Sequence, residues 1–157
     1  MRNSKINLFL ITGILSIFTL SCSKKNDVIP DVVVDFTIDI LDPRFVQMNA
    51  IGGSITVNTS TNNERYAAGY MGSGIIVARG ADEFFAYDRT CPHDYALDKS
   101  AVAVNIDPNG FAKAVCPKCK TVYELISFGT PSSGAGRYPL KNYKVFFDGR
   151  YVRVWNE

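Results

Sequence analysis

Two short segments hold most of the metal-binding chemistry of this chain: "CPHDY" at residues 91–95 and "CPKCK" at 116–120. Between them they contain three of the four cysteines and the single histidine. Cys91, His93, Cys116 and Cys119 supply three thiolates and one imidazole, a complete ligand set for a tetrahedral metal. Three is an odd number, so a Cys91–Cys116 or Cys116–Cys119 disulfide leaves one thiol unused. Pro92 and Pro117 each follow the first cysteine of their segment. Proline fixes φ and removes an N–H, so each cluster is expected on a stiff loop rather than inside a helix. The β-like "TVYELI" after the second cluster also argues against reading "CPKC" as a redox motif that opens a helix.

The elements that must position these loops read as β. "DFTIDI" alternates, with Phe36, Ile38 and Ile40 on one face, and "SITVN" places Ile55 and Val57 together. "GIIVAR" and "EFFAYD" are two strands broken by "GAD", and the second runs toward Cys91. "AVAVNID" alternates with Val102, Val104 and Ile106 inward, then meets Asn109-Gly110, a strong turn signal before "FAKAV" and Cys116. "YKVFFDGRYVRVW" is a hairpin around Asp148-Gly149. No long window has helical periodicity, so the expectation is an all-β domain, a small sandwich or barrel of antiparallel sheets. Residues 59–73 and 127–139 are rich in Gly, Ser, Asn and Pro and are expected as irregular loops. The second follows the cysteine clusters closely enough to cover them.

The N-terminus is of a different kind. Arg2 and Lys5 precede an apolar stretch, Leu8 to Leu20, that is too short for a membrane span of about 20 residues. Its length suits the apolar core of an export signal. It ends in "TLSCSKKND", and a cysteine directly after a small residue there resembles a bacterial lipoprotein processing site. That resemblance implies cleavage before Cys22, a lipid on its sulfur and a location in the bacterial cell envelope facing an extracytoplasmic space. The chain then divides into a signal at 1–21, a lipidated cysteine and tether at 22–34, and a β domain at 35–157. Removing Arg2 and Lys5 takes the formal charge from +2 to 0. A neutral domain without a basic stripe excludes nucleic acid as a partner.

From "GIIVARGADEFFAYDRTCPHD" through "CPKCKTVYELISFGTPSSGAGRYPLKNYKVFFDGRYVRVW" the chain resembles a Rieske-type iron–sulfur domain. The family pattern is Cys-x-His in one loop and Cys-x-x-His in a second, followed by a Gly/Pro-rich segment and a terminal hairpin. The likeness covers roughly residues 54–157. It implies stacked antiparallel sheets with two metal-binding loops and a [2Fe–2S] cluster. Cys91 and Cys116 would hold one iron, His93 the other. Thr121 and Tyr123 fall where hydroxyls bond cluster or cysteine sulfur, bonds that favour the reduced state. The fourth ligand position carries Cys119 instead of His, and Lys120 stands where a Gly follows. A third thiolate makes the site more negative, so its potential is expected below the family's range of about −150 to +300 mV. Lys118 and Lys120 flank Cys119 and offset part of that charge.

Zinc is the alternative, because three Cys and one His are also a standard closed zinc set. The start "MRNSKIN" has no twin arginine, which suggests export unfolded, before a cluster is inserted. A metal-free site is the third reading. Asp94 is read as facing water, Phe84, Phe85 and Tyr87 as core, and Arg79 and Arg89 as ordinary surface cations. No residue set suggests acid–base or nucleophilic catalysis. The resemblance therefore implies a lipid-anchored electron carrier, or a subunit of an oxidoreductase, that meets an unknown redox protein and is not itself an enzyme. A non-redox binding or structural module of the same fold is the rival.

Overall fold

The computed structural model describes residues 28–62 and 66–156. Ten strands form two antiparallel sheets. They are β1 (Asp35–Asp39), β2 (Ser54–Val57), β3 (Ile75–Arg79), β4 (Phe84–Asp88), β5 (Asn105–Ile106), β6 (Lys113–Val115), β7 (Val122–Glu124), β8 (Thr130–Ser133), β9 (Asn142–Phe147) and β10 (Tyr151–Trp155). The six-stranded sheet runs β1-β10-β9-β4-β3-β2, and the four-stranded sheet runs β5-β6-β7-β8. One helix, α1 (Pro92–Asp98), sits between β4 and β5. The all-β expectation holds. Among the described residues no helix is long and apolar enough to cross a membrane. The segment 8–20, the processing site and Cys22 lie outside the described residues.

Strand β3 explains how the two sheets join. It reads as an apolar run because both of its faces are covered. Ile75 and Val77 enter a core with Phe36, Ile38, Val57 and Val154. Ile76 and Ala78 point the other way, into a second core with Tyr87, Val104, Ala114, Tyr123 and Leu125. Cys91 and Cys116 belong to that second core. The cysteine loops are therefore extensions of packed apolar structure. The Tyr87 hydroxyl ties the layers together by donating to the Leu125 carbonyl at 2.9 Å.

Three expectations change. First, Pro92 does not keep the first cluster out of a helix. It occupies the first helical position, where its missing N–H costs nothing, and Cys91 is the residue that caps α1. Second, the 127–139 segment contains β8, which pairs with β7 across a register shift at Val122/Tyr123. Its "TPSS" shows no alternation because β8 is an edge strand that buries little, and Pro131 is tolerated there. Third, the packed body takes in residues from the segment read as tether. Ile29 and Val34 are fully buried, and the Lys141 ammonium donates to the Ile29 carbonyl at 2.8 Å.

Asp88, at the end of β4, organises the approach to the first cysteine loop. Its buried carboxylate accepts from the Tyr70 N–H at 2.6 Å, the Ser73 hydroxyl at 3.0 Å, the Thr90 N–H at 2.8 Å and the Tyr143 hydroxyl at 2.7 Å. Tyr70 and Ser73 are thus fixed to the loop that starts at Thr90. Arg89 is equally committed, donating to the carbonyls of Val104 and Ser73 and to the Asn105 side chain. Asp88→Ala strands these buried donors and is expected to lower the unfolding free energy by about 3 kcal/mol. Urea denaturation of the two proteins checks this, and an unchanged midpoint would remove Asp88 from its anchoring role.

Candidate metal centre

The second cysteine loop is the tip of the β6–β7 hairpin. The Cys116 N–H donates to the Thr121 carbonyl at 2.9 Å and the Lys120 N–H to the Cys116 carbonyl at 3.0 Å, closing a tight turn. Lys120 makes this turn with φ of 59°, a left-handed conformation that glycine adopts without cost, which is why a glycine suits this position. The turn brings the N–H groups of Cys119 and Lys118 toward the Cys116 sulfur, where they favour its thiolate. The first loop is held by the Cys91 N–H, which donates to the Val102 carbonyl at 2.8 Å. The loops also meet at the surface, where the Lys118 ammonium lies 2.6 Å from the Asp98 carboxylate at the end of α1. Lys118 is therefore already paired, rather than a free counter-charge for Cys119.

The sulfurs of Cys91, Cys116 and Cys119 converge with a carboxylate oxygen of Asp94, and all four ligand atoms lie within 4.8 Å of one another. The Cys91 and Cys119 sulfurs are 3.6 Å apart. All three cysteines are free, so neither disulfide of the sequence analysis is present. Cys91 and Cys116 are fully buried, and Cys119 is half-buried. The structure thus brings together three of the four expected ligands. His93 is half-buried and is not part of the group, and Asp94, expected to face water, is 1% exposed and is part of it. The reason is the helix. Residues three apart share a helix face and residues two apart do not, so α1 aligns Asp94, not His93, with Cys91. "Cys-Pro-x-Asp" carried that signal once Pro92 is read as a helix start.

Two hydroxyls approach the cysteine sulfurs. The Tyr123 hydroxyl is 3.4 Å from the Cys91 sulfur and the Thr121 hydroxyl 3.1 Å from the Cys119 sulfur. Thr121 also accepts from the Gly136 N–H at 2.8 Å, which leaves its own O–H to donate to sulfur. The Gly-rich segment therefore does cover the second loop. It comes very close at Gly134, which has φ of 90° and where a Cβ would stand 2.6 Å from the Thr121 Cα. Electrostatics follow from burial. Burial pushes the Cys91 thiol up to about 11, against opposing hydrogen bonds from Tyr123 and the Asp94 N–H. Burial and the bond to Asp94 push the Cys116 thiol up. Burial, then the bond to Cys91, pushes the Tyr123 phenol up. For Asp94 burial raises the carboxyl pKa, but hydrogen bonds from Cys116, Cys91 and Cys119 outweigh it and leave the group below its usual value. The Cys116 thiol donates to it at 2.9 Å.

Three thiols and a carboxylate in one buried volume are the donors that zinc and iron centres use. A single cation about 2.3 Å from each sulfur sits in a tetrahedron with edges of about 3.8 Å, the scale of this group. The donor chemistry fits an iron–sulfur centre as well, whose ligands are thiolates.

No family model and no curated protein matches the chain. The chain is similar to the ferredoxin of carbazole 1,9a-dioxygenase from Nocardioides aromaticivorans IC177. The identity is 15%, over 81% of this chain and 100% of that one, with a TM-score of 0.48. It is also similar to a chain in a complex of reduced oxygenase and oxidized ferredoxin in carbazole 1,9a-dioxygenase. There the identity is 20%, over 79% of this chain and 94% of that one, with a TM-score of 0.49.

Exposure orders the reactivity of the cysteines. In metal-free protein near neutral pH, iodoacetamide is expected to modify Cys119 first and Cys91 and Cys116 much later. Time-resolved peptide mass spectrometry reads the order directly, and equal rates would contradict the burial described above.

Proposed function

We propose that this chain is an electron carrier whose redox centre is held by Cys91, Cys116 and Cys119. The observation that supports it is the pair of hydroxyls, Tyr123 and Thr121, aimed at two of the three converging sulfurs. Donors to sulfur stabilise the added negative charge of a reduced centre. An iron–sulfur centre, in the reading implied by the motif a [2Fe–2S] cluster, would accept and return single electrons here. The protein's part is to hold the sulfurs. Tyr123 fixes Cys91 and Thr121 fixes Cys119, while Cys91 and Cys116 are closed off from water. Cys119, the least buried of the three, marks the side on which a redox protein would dock. In this reading the domain works as a carrier or oxidoreductase subunit. It is tethered to a membrane of the bacterial envelope through lipid on Cys22 and faces an extracytoplasmic space.

A second reading is favoured by one observation, the compactness of the group. Ligand atoms within 4.8 Å of one another suit one four-coordinate ion. A dinuclear cluster divides its ligands between two irons and needs them further apart. Zinc at this place would make the domain a metal-stabilised binding or structural module.

Metal and sulfide analysis with visible absorption separates the two. The electron carrier is expected to yield about two iron and two sulfide per chain and a colour that bleaches with dithionite. About one zinc and no colour would replace it with the structural module. The anchor is tested separately. Cys22→Ser is expected to move the protein from the membrane fraction to the soluble fraction without changing its metal content. If the variant stays with the membrane as the unaltered protein does, lipid on Cys22 is not what holds it there.

A further inference from the structure

We infer that the carboxylate of Asp94, and not the imidazole of His93, is the fourth ligand of the centre built by Cys91, Cys116 and Cys119. The inference rests on the reading that these cysteines hold a metal. It begins with position. Asp94 is 1% exposed, and one of its carboxylate oxygens lies within 4.8 Å of all three sulfurs. The register of α1 puts it there. Asp94 is three residues after the N-cap Cys91, and within α1 the side chain of His93 departs about 100° from that of Asp94, so the face that meets the sulfurs is not the face of His93.

Charge balance gives a second, independent reason. The side-chain donors to Asp94 are the cysteine thiols. A metal is bound by thiolates, so each of these donors disappears when the sulfurs coordinate it. A carboxylate that stayed in place without joining the metal would be left buried, without side-chain donors, beside three negative sulfurs. Burying such a charge unpaired is strongly unfavourable. Coordination to the metal removes the conflict, because the oxygen then faces the positive charge of the centre directly. Lys118 acts on Asp94 through charge alone, because its ammonium is hydrogen-bonded to Asp98. Carboxylate oxygen beside thiolate sulfur is an acceptable mixed set for a tetrahedral ion, with bonds of about 2.0–2.2 Å to oxygen.

Cobalt(II) alone is the probe, titrated into purified protein stripped of metal by a chelator under reducing conditions. The unaltered protein and His93→Ala are expected to give intense visible bands of a tetrahedral thiolate site, with affinities within about tenfold of each other. Asp94→Asn is expected to weaken cobalt binding more than about 100-fold, beyond the usual ~10–100-fold effect of an outer hydrogen-bond partner. Asp94→Cys is expected to bind tightly, with its bands moved to longer wavelength by a fourth sulfur. This variant keeps the test decisive if Asp94→Asn folds poorly. The inference is overturned if Asp94→Asn binds like the unaltered protein, since Asn preserves a hydrogen bond to sulfur but not an anionic ligand. It is also overturned if His93→Ala is the variant that loses cobalt. If the unaltered protein binds neither cobalt, iron nor zinc, the metal reading itself fails, a result distinct from the wrong fourth ligand.

Discussion

Three sulfurs and a carboxylate share one buried volume at the meeting of two loops, and the architecture is arranged around keeping them there. Apolar side chains alone do not hold such a group. In the metal-free protein burial disfavours the thiolates of Cys91 and Cys116, and the Cys116 thiol donates to Asp94. The pocket is therefore neutral at these two sulfurs and closed by its own hydrogen bonds. A metal centre would exchange those protons for its own positive charge. Both states are internally satisfied, so the pocket needs no surrounding cation to remain folded.

The scaffold transmits that arrangement through two anchors of different kinds. On the side of the first loop, the Asp88 carboxylate gathers donors from the 59–73 segment, from β9 and from Thr90. On the side of the second loop, the β6–β7 hairpin turns sharply through Lys120, and the Gly-rich segment rests on Thr121 through Gly134 and Gly136. Between them β3 contributes one face to each core. A displacement in either loop is thus resisted by packed structure, which is what holding ligands to a fixed geometry requires.

The position of Asp94 changes how the charge of the centre is understood. Were the three thiolates and the Asp94 carboxylate all ligands, as inferred above, the protein would contribute four negative charges to the centre. Lys118 relieves them only in part, through its charge, because its ammonium is paired with Asp98. The remaining compensation comes from dipoles, namely the Tyr123 and Thr121 hydroxyls and the N–H groups beside Cys116. Oriented dipoles are suited to this work in a buried site, where they need no reorganisation when charge changes.

The sequence by itself determined what depends on neighbouring residues. Alternation placed Phe36, Ile38, Ile55 and Val57 in the core, and Asp148-Gly149 and Asn109-Gly110 marked turns. The two cysteine segments announced paired loops, while Thr121 and Tyr123 stand out only through the family resemblance. Tertiary structure decided what depends on rotation and on distant partners. Whether His93 or Asp94 meets the sulfurs is set by the turn of α1, which Pro92 starts and which the Tyr95 hydroxyl, 3.1 Å from that of Tyr70, helps to hold. Strand β8 exists because β7 offers it backbone partners, which no side-chain pattern reveals. Ile29 and Val34 join the body because Lys141 and the core are there to receive them, more than a hundred residues along the chain. Side-chain periodicity is local and is written in the sequence. The facing of one loop toward another is a property of the packed whole.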